Sequence, residues 1–111
     1  MMLLLSTLIL AAATAASPSP APAAVVHIQN FAYHDATVTV HVGDSVQFIN
    51  DDGDAHTVTA NDKSFDSGGL DSHDKWTHTF TKAGTFTYFC ALHPYMKAVV
   101  IVLDAPKGNG K

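Results

Sequence analysis

Cysteine is nearly missing from this chain: Cys90 is the single one in 111 residues, so no internal disulfide can staple the fold. Glutamate and arginine are absent altogether, the acid being ten aspartates and the base six lysines, for a formal net charge of −4. Without an arginine, and with lysines this sparse, there is no basic stripe to hold phosphates, which excludes a nucleic-acid face. A partner with a basic surface is the better electrostatic match. Helical stripes are missing too, because from Val25 onward the hydrophobic period is two and nowhere 3.6. What is present, 47% hydrophobic and 14% charged residues, is the composition of one ordinary globular domain and excludes disorder.

Residues 1–16, MMLLLSTLILAAATAA, form an apolar run that ends in small residues, with Ala13-Thr14-Ala15 offering an A-x-A-like cleavage site. At about 1.5 Å per residue, about 16 residues reach roughly 24 Å, short of a roughly 30 Å hydrocarbon core. The segment therefore reads as a cleaved secretory signal, and the expected location is the periplasm or the extracellular space. Residues 17–24, SPSPAPAA, alternate proline and favour extended polyproline conformations, as a linker does. The folded domain is expected over residues 25–106, with a short tail at 107–111. A domain this small benefits from a metal when it has no disulfide.

The domain reads as all-β. In ATVTVHVGD, Val38, Val40 and Val42 alternate with Thr37, Thr39 and His41 before a turn at Gly43-Asp44. Val46 and Phe48 share a face in SVQFIN, HTVTA follows a polar loop, and Trp76, His78 and Phe80 alternate with Thr77 and Thr79. Phe86, Tyr88 and Cys90 share the next face, and AVVIVLD is a final β-branched run. About seven to eight short strands separated by turn residues predict a Greek-key β-sandwich or barrel. Asn61 to Asp74 is the longest irregular connection, anchored at Phe65. If Val100 and Val102 face the core, Val99 and Ile101 point outward, to be covered by the segment Val25 to Ile28 or to mark a contact surface.

The stretch YFCALHPYMKAVV places His93 and Met96 at equal steps of three behind Cys90. Three chemistries compete for it. A buried free thiol behaves as a small apolar residue. A catalytic thiol needs a base and an orienting group, and no local protease pattern surrounds Cys90. A metal site is the third: soft sulfur with imidazole selects copper, and two histidines with one cysteine plus a weak axial methionine describe a blue-copper electron-transfer centre. The second histidine that such a centre needs is His56, in DDGDAHTVTA, where a loop enters a strand far from Cys90 in sequence.

With VGDSVQFIN, DAHTV, FDSG, FTKAGTFTYFC and the terminal C-x-x-H-x-x-M, the chain from Val25 to Leu103 resembles the cupredoxin family of small type 1 copper proteins. The short interval from His93 to Met96, with Pro94 between, is most similar to the amicyanin branch. The resemblance implies one copper ion held by His56, Cys90 and His93 in the plane with Met96 as axial ligand, and Cys90 held as thiolate. It implies that His93 is the solvent-facing ligand, with Pro94 and Tyr95 in the patch where a redox protein, whether cytochrome, reductase or dehydrogenase, docks transiently on a monomer. The family usually has an asparagine directly after the first histidine; here Thr57 stands there, and its hydroxyl can partly replace that brace. Asn50 is the nearest upstream amide and the candidate for bracing the ligand loops.

An oxidase or reductase would need a second copper centre wired through a histidine beside the cysteine, and Phe89 and Ala91 flank Cys90 instead. A binuclear copper centre would need two cysteines. The chain is therefore expected not to be an enzyme but a carrier of single electrons, with copper buffering or delivery as the alternative. His27, His34, His41 and His73 are expected on solvent-facing strands and loops, whereas His78 is in phase with Trp76 and Phe80. Asp51, Asp52 and Asp54 read as a solvated turn, or as a charge that steers a basic partner.

Overall fold

The computed structural model describes residues 3–12 and 20–105. Eight strands follow one another: β1 (Ala24–Gln29), β2 (Ala32–His34), β3 (Thr37–His41), β4 (Ser45–Asn50), β5 (Thr59–Ala60), β6 (Lys75–Thr79), β7 (Gly84–Phe89) and β8 (Lys97–Leu103). They form two four-stranded sheets, β2-β1-β4-β6 and β3-β8-β7-β5. Of the two architectures expected, the molecule is thus a β-sandwich with open sheet edges. The pairs β1/β4 and β3/β8 are parallel and the remaining pairs antiparallel.

Alternation decides which face each strand buries. Val26, Ile28, Val46 and Phe48 from one sheet meet Val38, Val40, Tyr88, Val100 and Val102 from the other, each at most 9% exposed. Fully burying one such side chain contributes about 1.5–3 kcal/mol. A one-residue slip of β4 would exchange Val46 and Phe48 for Ser45 and Gln47, so its register is strongly held. His78 confirms the register read for its strand: it lies half-buried in phase with Trp76 and Phe80, stacked on Trp76 at 5.3 Å between ring centroids.

Two expectations need correction. The run HTVTA forms only a two-residue strand, because His56, Thr57 and Val58 are all buried and the chain there is core on both sides; a bridge from His56 to Leu70 fixes it. Val99 and Ile101 do point outward, but β1 lies in the opposite sheet and cannot cover them. They are flanked instead by Thr37 and Thr39 of β3 and by Thr87 and Thr85 of β7.

The irregular connection hangs on Phe65, which is 5% exposed, and on Asn50, whose side chain is fully buried. The Asn50 amide donates to the carbonyls of Asp54 (2.8 Å) and Leu70 (2.9 Å) and accepts from the Asp52 N–H (3.0 Å). This is the loop-bracing role expected of it. Residues 3–12 carry no regular secondary structure. No helix among the described residues is long and apolar enough to cross a membrane. Part of the expected signal and linker, residues 1–2 and 13–19, and the tail from 106 lie outside the described residues.

Candidate metal centre

At one end of the sandwich the loop after β7 turns back on itself through three backbone hydrogen bonds: His93 N–H to Cys90 O, Met96 N–H to His93 O and Cys90 N–H to Met96 O, at 3.2, 2.9 and 3.2 Å. Each bond joins two of the three residues expected to be ligands, so the loop positions all three together. Cys90 is fully buried and Met96 is 2% exposed, while His93 is half-buried. His56 arrives from the other side of the site, fully buried, where the β4–β5 loop enters the core.

The ligand atoms of His56, Cys90 and His93 all lie within 4.8 Å of one another. Cys90 Sγ is 3.6 Å from His56 Nδ1 and 3.7 Å from His93 Nδ1. A first-row metal ion sits about 2.0–2.1 Å from an imidazole nitrogen and about 2.3 Å from a thiolate sulfur, which at trigonal angles separates the two donors by about 3.8 Å. The spacing of this group therefore fits a shared ion, and its softness fits copper better than magnesium or calcium.

The protonation of His56 follows from its partner. Its Nε2 lies 2.8 Å from a carboxylate oxygen of Asp52. A carboxylate only accepts, so Nε2 carries the proton and Nδ1 turns its lone pair toward Cys90. Asp52 also accepts from the N–H groups of Asn30 (2.7 Å) and Phe31 (2.9 Å). Burial alone raises the Asp52 pKa, but the hydrogen bonds from Phe31, His56 and Asn30 together outweigh it and hold the carboxyl below its ordinary value. The reading of Asp52 as part of a solvated turn is thereby corrected: it is the orienting group of His56.

Those two N–H groups belong to the β1–β2 turn, in which Asn30 and Phe31 have φ of 54° and 56°. Left-handed backbone is uncommon for phenylalanine and costs roughly 1–2 kcal/mol. Its result is that the Phe31 ring lies edge-to-face on both imidazoles, 5.2 Å from His56 and 5.1 Å from His93 between centroids. Nothing in the residue pattern signals this contact, since Asn-Phe lacks the glycine that marks such turns.

Thr57 supplies the brace expected of it. Its hydroxyl accepts from the Ala91 N–H at 2.7 Å, its own N–H points at Cys90 Sγ at 3.3 Å, and its carbonyl accepts from the Tyr33 hydroxyl at 2.6 Å. Thr59 donates to Asp66 at 3.1 Å, which leaves the Thr57 hydroxyl proton for Thr59 at 2.8 Å. Burial pushes the phenols of Tyr33 and Tyr88 far above their usual range, with the neighbouring Cys90 adding to the effect at Tyr33, so both stay protonated beside the thiol. The Tyr88 ring packs on Phe48 at 5.6 Å and on Tyr33 at 4.8 Å, facing inward as alternation predicts.

Outside the group, Leu92 (55% exposed), Tyr95 (69%) and Phe31 (39%) leave apolar surface around the half-buried His93. Among the described residues, the other five histidines are not part of the cluster.

Known proteins match both the sequence and the fold. A family model described as a cupredoxin-like domain matches residues 1–102. Amicyanin from Paracoccus versutus is 32% identical over 85 residues, covering 72% of this chain and 64% of that protein. Amicyanin from Paracoccus denitrificans is 32% identical over 85 residues, with coverage of 72% and 65%. The chain thus spans slightly less than two thirds of the length of these curated relatives. A copper(I) form of an amicyanin variant superposes with a TM-score of 0.69 at 31% identity, over 76% of this chain and 85% of that one. A copper-containing nitrite reductase from Thermus scotoductus gives a TM-score of 0.73 at 26% identity, over 86% of this chain but 25% of the enzyme.

Proposed function

The chain belongs to the cupredoxin-like family, and on that premise we propose that it is a type 1 copper protein passing single electrons between redox partners, not an enzyme. The observation that carries the reading is the convergence of one buried thiol and two imidazoles within 4.8 Å. His56, Cys90 and His93 would hold the ion, with the buried Met96 thioether as the fourth, weaker donor. Bound there, copper supplies a one-electron couple between its two oxidation states.

The chain's own residues do the rest. Asp52 keeps the proton on His56 Nε2, and the Thr57 N–H donates toward the Cys90 sulfur at 3.3 Å. The donors come from two loops, His56 from one and Cys90, His93 and Met96 from the other, that are cross-linked through Thr57 and Ala91, which limits how far they would move when the charge at the site changes. Small movement keeps the reorganisation small, which suits fast transfer. His93 would be the ligand through which a bound ion exchanges electrons with a partner, because its ring is the half-buried one and the exposed Leu92, Pro94, Tyr95 and Phe31 surround it. A redox protein docks there by a modest apolar contact, as transient encounters do. The exposed apolar residues Leu3, Leu4, Leu5, Leu8, Ile9 and Leu10 support export to the periplasm or beyond, ahead of the folded unit.

Adding copper(II) to the purified chain tests the reading. An intense charge-transfer colour that disappears in Cys90→Ser and cycles reversibly with mild reductant and oxidant is the expected result. No colour, or colour surviving Cys90→Ser, would sink the copper assignment. Copper surrendered to a chelating acceptor faster than electrons exchange would make the chain a delivery protein.

A further inference from the structure

The outer face of the first sheet carries a cross-strand pair of histidines. Because the β1–β2 turn has two residues, its register sets His27 directly opposite His34, with Ile28 opposite Tyr33 and Gln29 opposite Ala32. Ile28 and Tyr33 point into the core, so His27 and His34 both point to solvent, and both are exposed. Side chains directly opposed on an antiparallel pair have Cβ atoms about 4.5–5.5 Å apart, close enough for two imidazoles to share one ion. On its other flank His27 is paired with Ile49. Alternation brings Asp51, two residues further on, to the same outer face.

Each ring has its proton placed by a neighbour that can only accept. His27 Nδ1 lies 2.6 Å from a carboxylate oxygen of Asp51, which puts the proton on Nδ1 and the lone pair on Nε2. His34 Nε2 lies 3.0 Å from the Gln29 carbonyl, which puts the proton on Nε2 and the lone pair on Nδ1. One ring N–H tied to a carboxylate or a backbone carbonyl, with the opposite nitrogen free, is how metal-bound histidines are held. Here both residues of one cross-strand pair are held so.

We propose that His27 and His34 form a second metal site for a borderline divalent cation of the zinc, nickel or copper(II) class, with His27 Nε2 and His34 Nδ1 as donors and Asp51 as the orienting carboxylate. It shares no ligand with the Cys90 centre and holds no sulfur, so it selects imidazole-preferring divalent ions over copper(I). The two centres are nonetheless neighbours along the chain, since Asp51 orients His27 and the adjacent Asp52 orients His56.

Zinc(II) titrated into the copper(I)-loaded, diamagnetic chain tests the site, followed by calorimetry and by ring nitrogen shifts in NMR. One further equivalent is expected to bind, moving Nε2 of His27 and Nδ1 of His34. The double variant His27→Gln/His34→Gln is expected to lose that equivalent while its amide spectrum persists and the colour of the Cys90 centre returns on reoxidation to copper(II). Zinc uptake that survives the double variant, seated for instance at His41 beside Asp44, overturns the proposal, as does no uptake at millimolar zinc. The His27 and His34 ring signals carry the readout, so zinc taken up at an unfilled Cys90 centre, which would move the His56 and His93 signals instead, is told apart from zinc at this site.

Discussion

Asp52 accepts a 2.8 Å hydrogen bond from Nε2 of the fully buried His56, four residues further along the chain, and so decides which nitrogen of that ring faces Cys90. Removing the acceptor frees the ring to turn or to change tautomer. Asp52→Ala is expected to weaken copper binding by on the order of 10–100-fold, with Asp52→Asn, which keeps an acceptor oxygen, falling between. Competition against a chelator of known strength reads this directly. Unchanged affinity in Asp52→Ala would show that packing alone, including the Phe31 ring, fixes His56.

Thr57 links the two ligand-bearing loops through its hydroxyl, which accepts from the Ala91 N–H at 2.7 Å. Thr57→Val keeps the shape and deletes the acceptor, leaving that N–H without its partner at a cost of about 1–3 kcal/mol. Thr57→Ser restores the oxygen and should recover most of the loss. Urea unfolding of the metal-free chain measures the stability term, and the copper dissociation rate, expected to rise in Thr57→Val, measures how far the loops have loosened.

Much of this was legible in the sequence because the signals are stiff. Val38 and Val40, Val46 and Phe48, and Phe86, Tyr88 and Cys90 alternate, and a sandwich that buries one face of each strand leaves alternation little freedom. Cys90, His93, Met96 and His56 stood out because sulfur and imidazole donors are scarce and their spacing is short. Asp52 and Phe31 were not legible, for different reasons. An aspartate in an acidic run is ordinarily solvated, and only the fold brings it the N–H groups of a distant turn. Phe31 reaches the imidazoles through a left-handed backbone that its residue type disfavours, so local preference pointed away from the structure.

That conflict gives a third prediction. Phe31→Gly and Phe31→Ala both remove the ring from His56 and His93, but only glycine adopts φ of 56° without strain. Phe31→Gly also creates Asn-Gly, the preferred pair for this turn. Phe31→Gly is expected to be more stable than Phe31→Ala by roughly 1–2 kcal/mol in chemical denaturation. Both should exchange copper faster than the unchanged chain, since His93 loses the same aromatic edge in each. Equal stability of the two variants would mean that the turn relaxes out of its left-handed conformation once the ring is gone.

His78 carries a pH dependence whose sign follows from its surroundings. It is half-buried among Phe65, Trp76 and Phe80, at ring distances of 5.0, 5.3 and 4.8 Å. Desolvation there lowers its pKa below the ordinary 6.5, because the charged ring cannot be hydrated between aromatic faces. In the window between the lowered folded value and 6.5 the unfolded chain binds the extra proton, so stability rises with pH across it. The contribution is fully present above about 6.5 and is lost as the pH falls through the folded value. His78→Phe keeps the stack and removes the proton, and is expected to flatten this part of the stability profile while leaving the centre at Cys90 untouched. Thermal unfolding of the metal-free chain from pH 5 to 8 separates the outcomes. A slope that persists in His78→Phe would assign the dependence to another titrating group.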